Sequence, residues 1–332
     1  MRLLVTGGAG FIGSNFVRLV LEERPDWTVT NLDKLTYAGN LKNLRDVENN
    51  PGYSFVRGDI CDPTVVSEAM ADADAVVNFA AETHVDRSIH DPTGFIETDV
   101  TGVYVLCEEA RRQGLTTFVH VSTDEVYGSI EDGAFSETDP LSPSNPYSAS
   151  KAGGEMLAMS YFKTFELPVV VSRGSNTFGP FQYPEKFMPL FITNAIDDEP
   201  LPLYGDGLNV RDWLFVEDHC RALLFLVENG VPGELYNVGG GNERTNIDVA
   251  RAIVDRLGKS NDLIKPVKDR PGHDRRYALD CAKLEQAGCQ PLVSFDDGFA
   301  RTVDWYLANE WWWRELKTGE YLEYYKRNYE NR

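Results

Sequence analysis

Basic charge is what this chain has least of. Against 52 Asp and Glu it sets only 32 Lys and Arg, a formal net charge of -20 over 332 residues. Nucleic acid is thereby excluded as a partner, because phosphate backbones are held by a basic footprint. Cysteine is also scarce. Cys61, Cys107, Cys220, Cys281 and Cys289 are odd in number, widely spaced and free of any CxxC pair. That pattern offers neither a disulfide framework nor a thiolate zinc site, and no metal is expected. No apolar run approaches the ~20 residues of a membrane span. Met1-Arg2 leads straight into an apolar run and a Gly-rich turn with no signal-like stretch. A soluble, cytoplasmic protein without a membrane partner is the expectation. The acidity itself reads as a solvated surface that favours solubility and suits a salty cytoplasm.

What is present is an alternation. Short apolar runs at 2–7, 27–33, 53–59, 75–80, 116–123 and 168–174 are separated by stretches with helical spacing, notably 14–23, 92–112 and 146–165. This rhythm predicts an α/β fold of the Rossmann type, with a doubly wound parallel sheet. Beyond Gly174 it gives way to Pro- and Gly-rich segments such as 176–190 and 201–207. The expected division is a dinucleotide-binding domain over 1–174, with return segments near 211–240. A smaller, interleaved C-terminal α/β substrate domain occupies most of 175–332.

Gly7, Gly8, Gly10 and Gly13 follow the first strand and open the first helix. Glycine there lets backbone amides approach a pyrophosphate, and the helix N-terminus adds its positive end. Phe11 and Ile12 lie inside the same turn. Asp33, twenty residues after Gly13, ends the second strand where a carboxylate accepts from an adenosine ribose diol, which favours NAD over NADP. Lys34, Leu35 and Thr36 follow it; Asp59 and Ile60 border the adenine; Ala80, Ala81 and Thr98 reach the dinucleotide from the fourth strand and its helix.

Chemistry concentrates in STDEVYG, residues 122–128, and in Tyr147 and Lys151. The last two are i and i+4 on a predicted helix and project from one face. A phenol titrating at roughly 10 is a poor base at neutral pH, but an ammonium and a nicotinamide cation nearby both favour phenolate. Lowering that value by about 3 corresponds to roughly 4 kcal/mol of preferential stabilisation. Sugar oxidation at one carbon needs only this pair. Asp124 and Glu125 imply a second task, in which one carboxyl takes a proton from carbon and the other expels a hydroxyl as water. The alternative for these two is a solvated pair of loop carboxylates. RPGHDRR at 270–276 adds the local cations that a nucleotide anion requires.

Several long strings, among them LLVTGGAGFIGSN, AAETHVDRSI, STDEVYG, PYSASKA, YPEKFMPL, YGDGLNVRDWLFVEDH and DRPGHDRRYALD, are spread over nearly the whole chain. In these the chain resembles the dTDP-glucose 4,6-dehydratases, in the nucleotide-sugar branch of the extended short-chain dehydrogenase/reductase family. The resemblance implies NAD-mediated oxidation of glucose C4, with Tyr147 as base and Thr123 hydrogen-bonding the C4 oxygen. It implies that Glu125 removes the C5 proton while Asp124 protonates the departing C6 hydroxyl, giving a 4-keto-6-deoxy sugar for deoxysugar biosynthesis. Thr83, Asn176, Lys186, Arg211, Arg270 and His273 are implied around the sugar nucleotide. Pro202, Leu203 and Tyr204 would border the base, and Asn246 would lie at the nucleotide end. A homodimer is expected on the same ground and from the prevalence of twofold assemblies. Thr83 stands where the family has Ser, and SNTFGPFQYPEK departs from the familiar NNYGPYHFPEK. Two other readings stay open here: a UDP-sugar 4-epimerase, which has no use for the carboxylate pair, and a non-catalytic NAD-binding scaffold.

Overall fold

The computed structural model describes residues 1–330. Strands β1 (Arg2–Thr6), β2 (Thr28–Asp33), β3 (Tyr53–Arg57), β4 (Ala75–Asn78), β5 (Thr117–Thr123) and β6 (Val169–Gly174) are the six apolar runs of the first half. Later come β7 (Asn176–Phe178), β8 (Leu201–Tyr204), β9 (Val210–Phe215), β10 (Leu235–Val238), β11 (Glu243–Thr245) and β12 (Ile264–Val267). Seven of these form one sheet in the order β10-β6-β5-β4-β1-β2-β3. Every pairing in it is parallel. The order reverses between β1 and β4, so a crevice opens beyond their carboxyl ends, where ligands of such sheets bind.

Both faces of the sheet are covered, because successive strand residues alternate sides. Leu3 and Val5 face helices α1 (Phe11–Glu23) and α8 (Val216–Asn229) in one apolar cluster. Leu4 faces the other way, toward α2 (Pro63–Met70), α5 (Val103–Gln113) and α6 (Pro146–Phe165). Each large aliphatic side chain so buried contributes about 1.5–3 kcal/mol relative to exposure.

Two short segments complete the first half: α3 (Val85–His90) and α4 (Thr93–Ile96), which continues through a π-helical turn, Glu97–Gly102, into α5. The stretch 92–112, expected as one helix, is therefore broken by an extra residue per turn. That turn carries the Asp99 carboxylate to the Ser150 hydroxyl of α6, which donates to it at 2.6 Å.

A second apolar cluster lies under the remaining elements. It joins β8 and β9 to α7 (Phe187–Ile196), α9 (Asn246–Arg256), α11 (Phe295–Ala308) and α12 (Glu310–Leu316). Here β11-β9-β7 form a three-stranded sheet and β12-β8 a two-stranded one. The short α10 (Ala282–Gln286) and α13 (Glu320–Tyr325) complete the set. Within the 211–240 segment β9 belongs to this second region, whereas α8 and β10 rejoin the large sheet.

Candidate active site

The turn after β1 is built by close approach. Gly7 has φ +68°, and a Cβ there would stand 2.7 Å from the Ala80 amide nitrogen. A Cβ on Gly13 would meet the Gly7 carbonyl oxygen at 2.4 Å. Gly10 caps α1 without a side-chain cap, and no acidic residue occupies the first turn. The orphan N–H groups at that end therefore face the crevice unneutralised, as an anion requires. Asp33 accepts from the Ala9 amide at 2.9 Å and from the Leu35 amide at 2.7 Å. Burial pushes its carboxyl above the ordinary value against those two bonds. A glycine cradle for a pyrophosphate with a carboxylate at the next strand end fits a dinucleotide.

Gly7, Gly10, Phe11, Ile12, Gly13, Asp33, Lys34, Thr36, Ile60, Ala80, Ala81, Thr98, Tyr147 and Lys151 line one cavity of about 310 Å³. Leu35 and Asp59 do not. Leu35 holds a left-handed backbone, φ 58°, and supplies its amide to Asp33. The Asp59 carboxylate is engaged by Lys34 Nζ at 2.6 Å and by the Cys61 amide at 2.9 Å.

Asn145 starts α6 with a capping box: its Oδ1 accepts from the Ser148 amide at 3.0 Å while Ser148 Oγ accepts from the Asn145 amide at 3.3 Å. This cap and Pro146 fix the first turn, so Tyr147 and Lys151 enter the cavity from one helix face. Lys151 Nζ donates to the Val121 carbonyl at 2.8 Å. The Thr123 side chain acts to lower the Tyr147 phenol. Burial, then the carboxylates of Glu125 and Asp99, hold that phenol well above its ordinary value. Desolvation and these anions set the phenol of the protein alone; the lowering expected for Tyr147 needs the nicotinamide cation together with Lys151.

Thr123 ends β5, and its Oγ1 accepts from the Glu125 amide at 3.3 Å, capping a 3-10 turn over Asp124–Tyr127. That turn breaks strand alternation and lets both carboxyl groups enter the cavity. Their surroundings differ. Burial and the carboxylates of Glu125 and Asp212 drive Asp124 well above the ordinary range. Glu125 is also raised by burial, but Arg270, Arg211 and Lys186 oppose the rise. Asp124 Oδ1 accepts from Thr123 Oγ1 at 3.2 Å, whereas Asp124 Oδ2 and Glu125 Oε2 are buried without hydrogen-bond partners. Two such groups suit an acid that keeps its proton and a base that releases one.

Thr83, Asn176 and Lys186 line the same cavity, and Lys186 Nζ donates to Thr83 Oγ1 at 2.8 Å. Asn176 Oδ1 is buried without a partner. Glu125, Asn176 and Lys186 also line a second cavity of about 140 Å³, with Pro202, Tyr204, Arg211, Asn246, Arg270 and His273. Leu203 is absent from it, since its side chain belongs to the second apolar cluster. Arg211 Nη2 donates to the Asp274 carbonyl at 3.0 Å and its guanidinium lies 4.4 Å over the Tyr277 ring. Arg270 Nη1 donates to Asp86 at 3.2 Å while its Nε is buried without a partner. His273 Nδ1 lies 2.6 Å from Asp269 Oδ1, and burial with the two arginines depresses it to about 4.

Several lining residues went unread. Glu82, Gln182, Tyr183 and His219 border the first cavity, and Asp86 and Tyr329 the second. His219 Nδ1 lies 2.8 Å from Thr177 Oγ1, and its Nε2 is buried without a partner. Its one sequence signal was a polar ring inside the apolar run WLFVEDHCRALLFLV, a weak one.

Residues 4–302 match the family model described as GDP-mannose 4,6 dehydratase. A dTDP-glucose 4,6-dehydratase of Streptomyces antibioticus is 54% identical over 323 residues, 96% of either chain. The low-salt glycan biosynthesis protein Agl12 of Haloferax volcanii is 50% identical over 310 residues, 93% of this chain and 100% of that one. The crystal structure of DesIV, a dTDP-glucose 4,6-dehydratase from Streptomyces venezuelae with NAD bound, superposes with a TM-score of 0.94 at 50% identity, over 96% of this chain and 100% of its own. With its parallel seven-stranded sheet, glycine cradle and paired carboxyl groups, the chain belongs to the GDP-mannose 4,6-dehydratase family, on the dTDP-glucose 4,6-dehydratase side of it.

Proposed function

We propose that this chain is a dTDP-glucose 4,6-dehydratase, a hydro-lyase that makes dTDP-4-dehydro-6-deoxy-glucose and water with tightly held NAD. One observation carries the reading: Asp124 and Glu125 stand side by side in the cavity that holds Tyr147 and Lys151, with carboxylates driving Asp124 strongly upward and three cations opposing the rise of Glu125. An epimerase has work for Tyr147 and Lys151 only. NAD, held by the Gly7–Gly13 turn and Asp33, supplies the reversible oxidant, accepting hydride from C4 and returning it to C6.

Tyr147 is a neutral phenol until positive charge from the bound dinucleotide joins that of Lys151; it then takes the C4 hydroxyl proton, with Thr123 orienting the oxygen. The C4 ketone acidifies the C5 proton. Glu125, whose charged form Arg270, Arg211 and Lys186 favour against burial, removes that proton, and Asp124 delivers its own to the leaving C6 hydroxyl; a proton returns to C5 as hydride reaches C6. Arg211 and Arg270 present guanidinium forks to the diphosphate. Pro202, Tyr204, Asn246 and His273 surround the nucleoside end.

Incubation with dTDP-, UDP-, GDP- and CDP-linked glucose tests the reading. Loss of one water from the dTDP sugar, with solvent deuterium entering at C5, is expected. Product of unchanged mass from a UDP sugar would return the chain to the epimerases.

The homodimer belongs to this proposal. Ile96, Tyr104 and Met156 are 56%, 49% and 65% exposed on the adjoining α4, α5 and α6, large apolar side chains that a second copy covers. Sedimentation giving a monomer at micromolar concentration would remove it. A cytoplasmic location is supported by five free cysteines, and no described helix is long and apolar enough to cross a membrane. The division into a cofactor domain over 1–174 and a substrate domain over most of 175–332 is supported by the separate apolar clusters.

A further inference from the structure

Arg87 lies in α3, four residues after Thr83, and no step above uses it. Its Nε and Nη2 stand 3.0 and 2.9 Å from Glu185 Oε2, a carboxylate with a fully buried side chain. Its Nη1 donates to Glu320 Oε1, at the start of α13, at 2.8 Å. The guanidinium lies 3.6 Å over the Tyr37 ring and 4.8 Å over that of Tyr324. Tyr37 in turn donates its hydroxyl to the Thr83 carbonyl at 2.7 Å.

Between Thr83 and Arg87 the backbone is strained. His84 holds φ 90°, a region a non-glycine residue occupies only when its surroundings over-determine it. Those surroundings are the Tyr324 hydroxyl, 3.1 Å from His84 Nδ1, and the Glu185 carbonyl, 3.3 Å from Nε2. The C-terminal helix and the residue before Lys186 thus grip the same turn. Lys186 faces three anions, Glu185, Glu125 and Asp86. Among charged groups, Glu185 acts on it most strongly and Glu125 next.

We propose that Arg87 is a positioning residue for the sugar subsite: by tying Glu185 to the C-terminal helix it leaves Lys186 directed at Thr83 and Glu125. A buried carboxylate deprived of its cation recruits the next one. Without Arg87 that cation is Lys186, drawn away from the sugar, while Arg211 and Arg270 at the diphosphate keep their own partners. The inference rests on the dehydratase reading, and its effect falls on turnover more than on nucleotide binding.

The test compares wild type, Arg87→Met, Arg87→Lys and Glu320→Ala with dTDP-glucose as substrate and dTDP alone as a binding probe. Arg87→Met is expected to lower kcat on the order of 100-fold, the scale of a misplaced substrate-positioning group, with the dTDP dissociation constant unchanged. Arg87→Lys recovers most of that loss. Glu320→Ala cuts only a solvent-side ion pair and lowers kcat about two- to fivefold. Parallel weakening of dTDP and turnover, a lysine variant no better than methionine, or wild-type turnover in Arg87→Met overturns the proposal. If Arg87→Met fails to fold, Glu320→Ala decides: wild-type kcat overturns, reduced kcat with unchanged dTDP binding supports. Wild-type protein inert toward dTDP-glucose would instead sink the dehydratase reading.

Discussion

Asp124 and Glu125 are adjacent carboxyl groups with the same intrinsic chemistry, and only their neighbours separate them. Glu125 is useful as a carboxylate, so kcat/KM falls as pH drops through its raised value. Asp124 is useful with its proton on, so activity falls as pH climbs through its own, more strongly raised one. A bell-shaped profile follows, whose two apparent values belong to the coupled pair. Asp124→Asn is expected to lower kcat by about 10²–10⁴, the scale of a lost general acid, and to abolish the alkaline limb. Glu125→Gln loses a similar factor and, unlike Asp124→Asn, stops exchange of the C5 hydrogen with deuterated water. Unimpaired exchange in the Glu125 variant refutes the assigned base. In the sequence these two residues were plain to see. Their environments were not, because Arg211, Asp212 and Arg270 reach them from β9 and the 270 loop, about 90 and 150 positions away. The same distance effect hides the anions that face Tyr147: its helical partner Lys151 is visible in the sequence, whereas the nearness of Asp99 and Glu125 is not.

Among the elements, the six strands of the first half were legible because each is a short apolar run, five of them largely buried on both faces and the edge strand β3 only half-buried, a signal carried locally. The strands β7, β8, β11 and β12 are three or four residues long and gain their identity from partners far along the chain, so no local periodicity announces them. The π turn at Glu97–Gly102 was hidden for a related reason: its cause is a fit between two helices. Gly154 of α6 sits so close to that turn that a Cβ would stand 2.1 Å from the Asp99 carbonyl oxygen. Gly153, its neighbour, is less confined, with the tip of Val100 at 3.2 Å. Gly154→Ala therefore has to push α6 away from the turn, at about 1–3 kcal/mol or more for overpacking. Tyr147 and Lys151 ride on that helix, so kcat falls with stability. Gly153→Ala is the control, expected to change both much less. Urea unfolding and initial rates on the two variants check this; equal behaviour would mean that the approach of α6 to the π turn is not tight.

Over the whole molecule, an excess of twenty negative charges coexists with a ligand site built from Lys186, Arg211 and Arg270. The two respond to salt differently. Surface carboxylates repel one another through water, where screening shortens from about 10 Å at 0.1 M to about 3 Å at 1 M salt. The site's cations are buried and screened far less. Raising KCl over that range is therefore expected to increase the thermal midpoint, by relieving self-repulsion of the folded state. KM for the sugar nucleotide should change little, because its anion meets cations already withdrawn from solvent. Sucrose, which strengthens burial without screening charge, separates the two causes: an osmolyte that matches the KCl effect attributes it to general exclusion from the surface. A thermal midpoint that falls as KCl rises would show that attractive pairs, such as Arg18 with Asp46 and Arg275 with Asp206, outweigh the net repulsion.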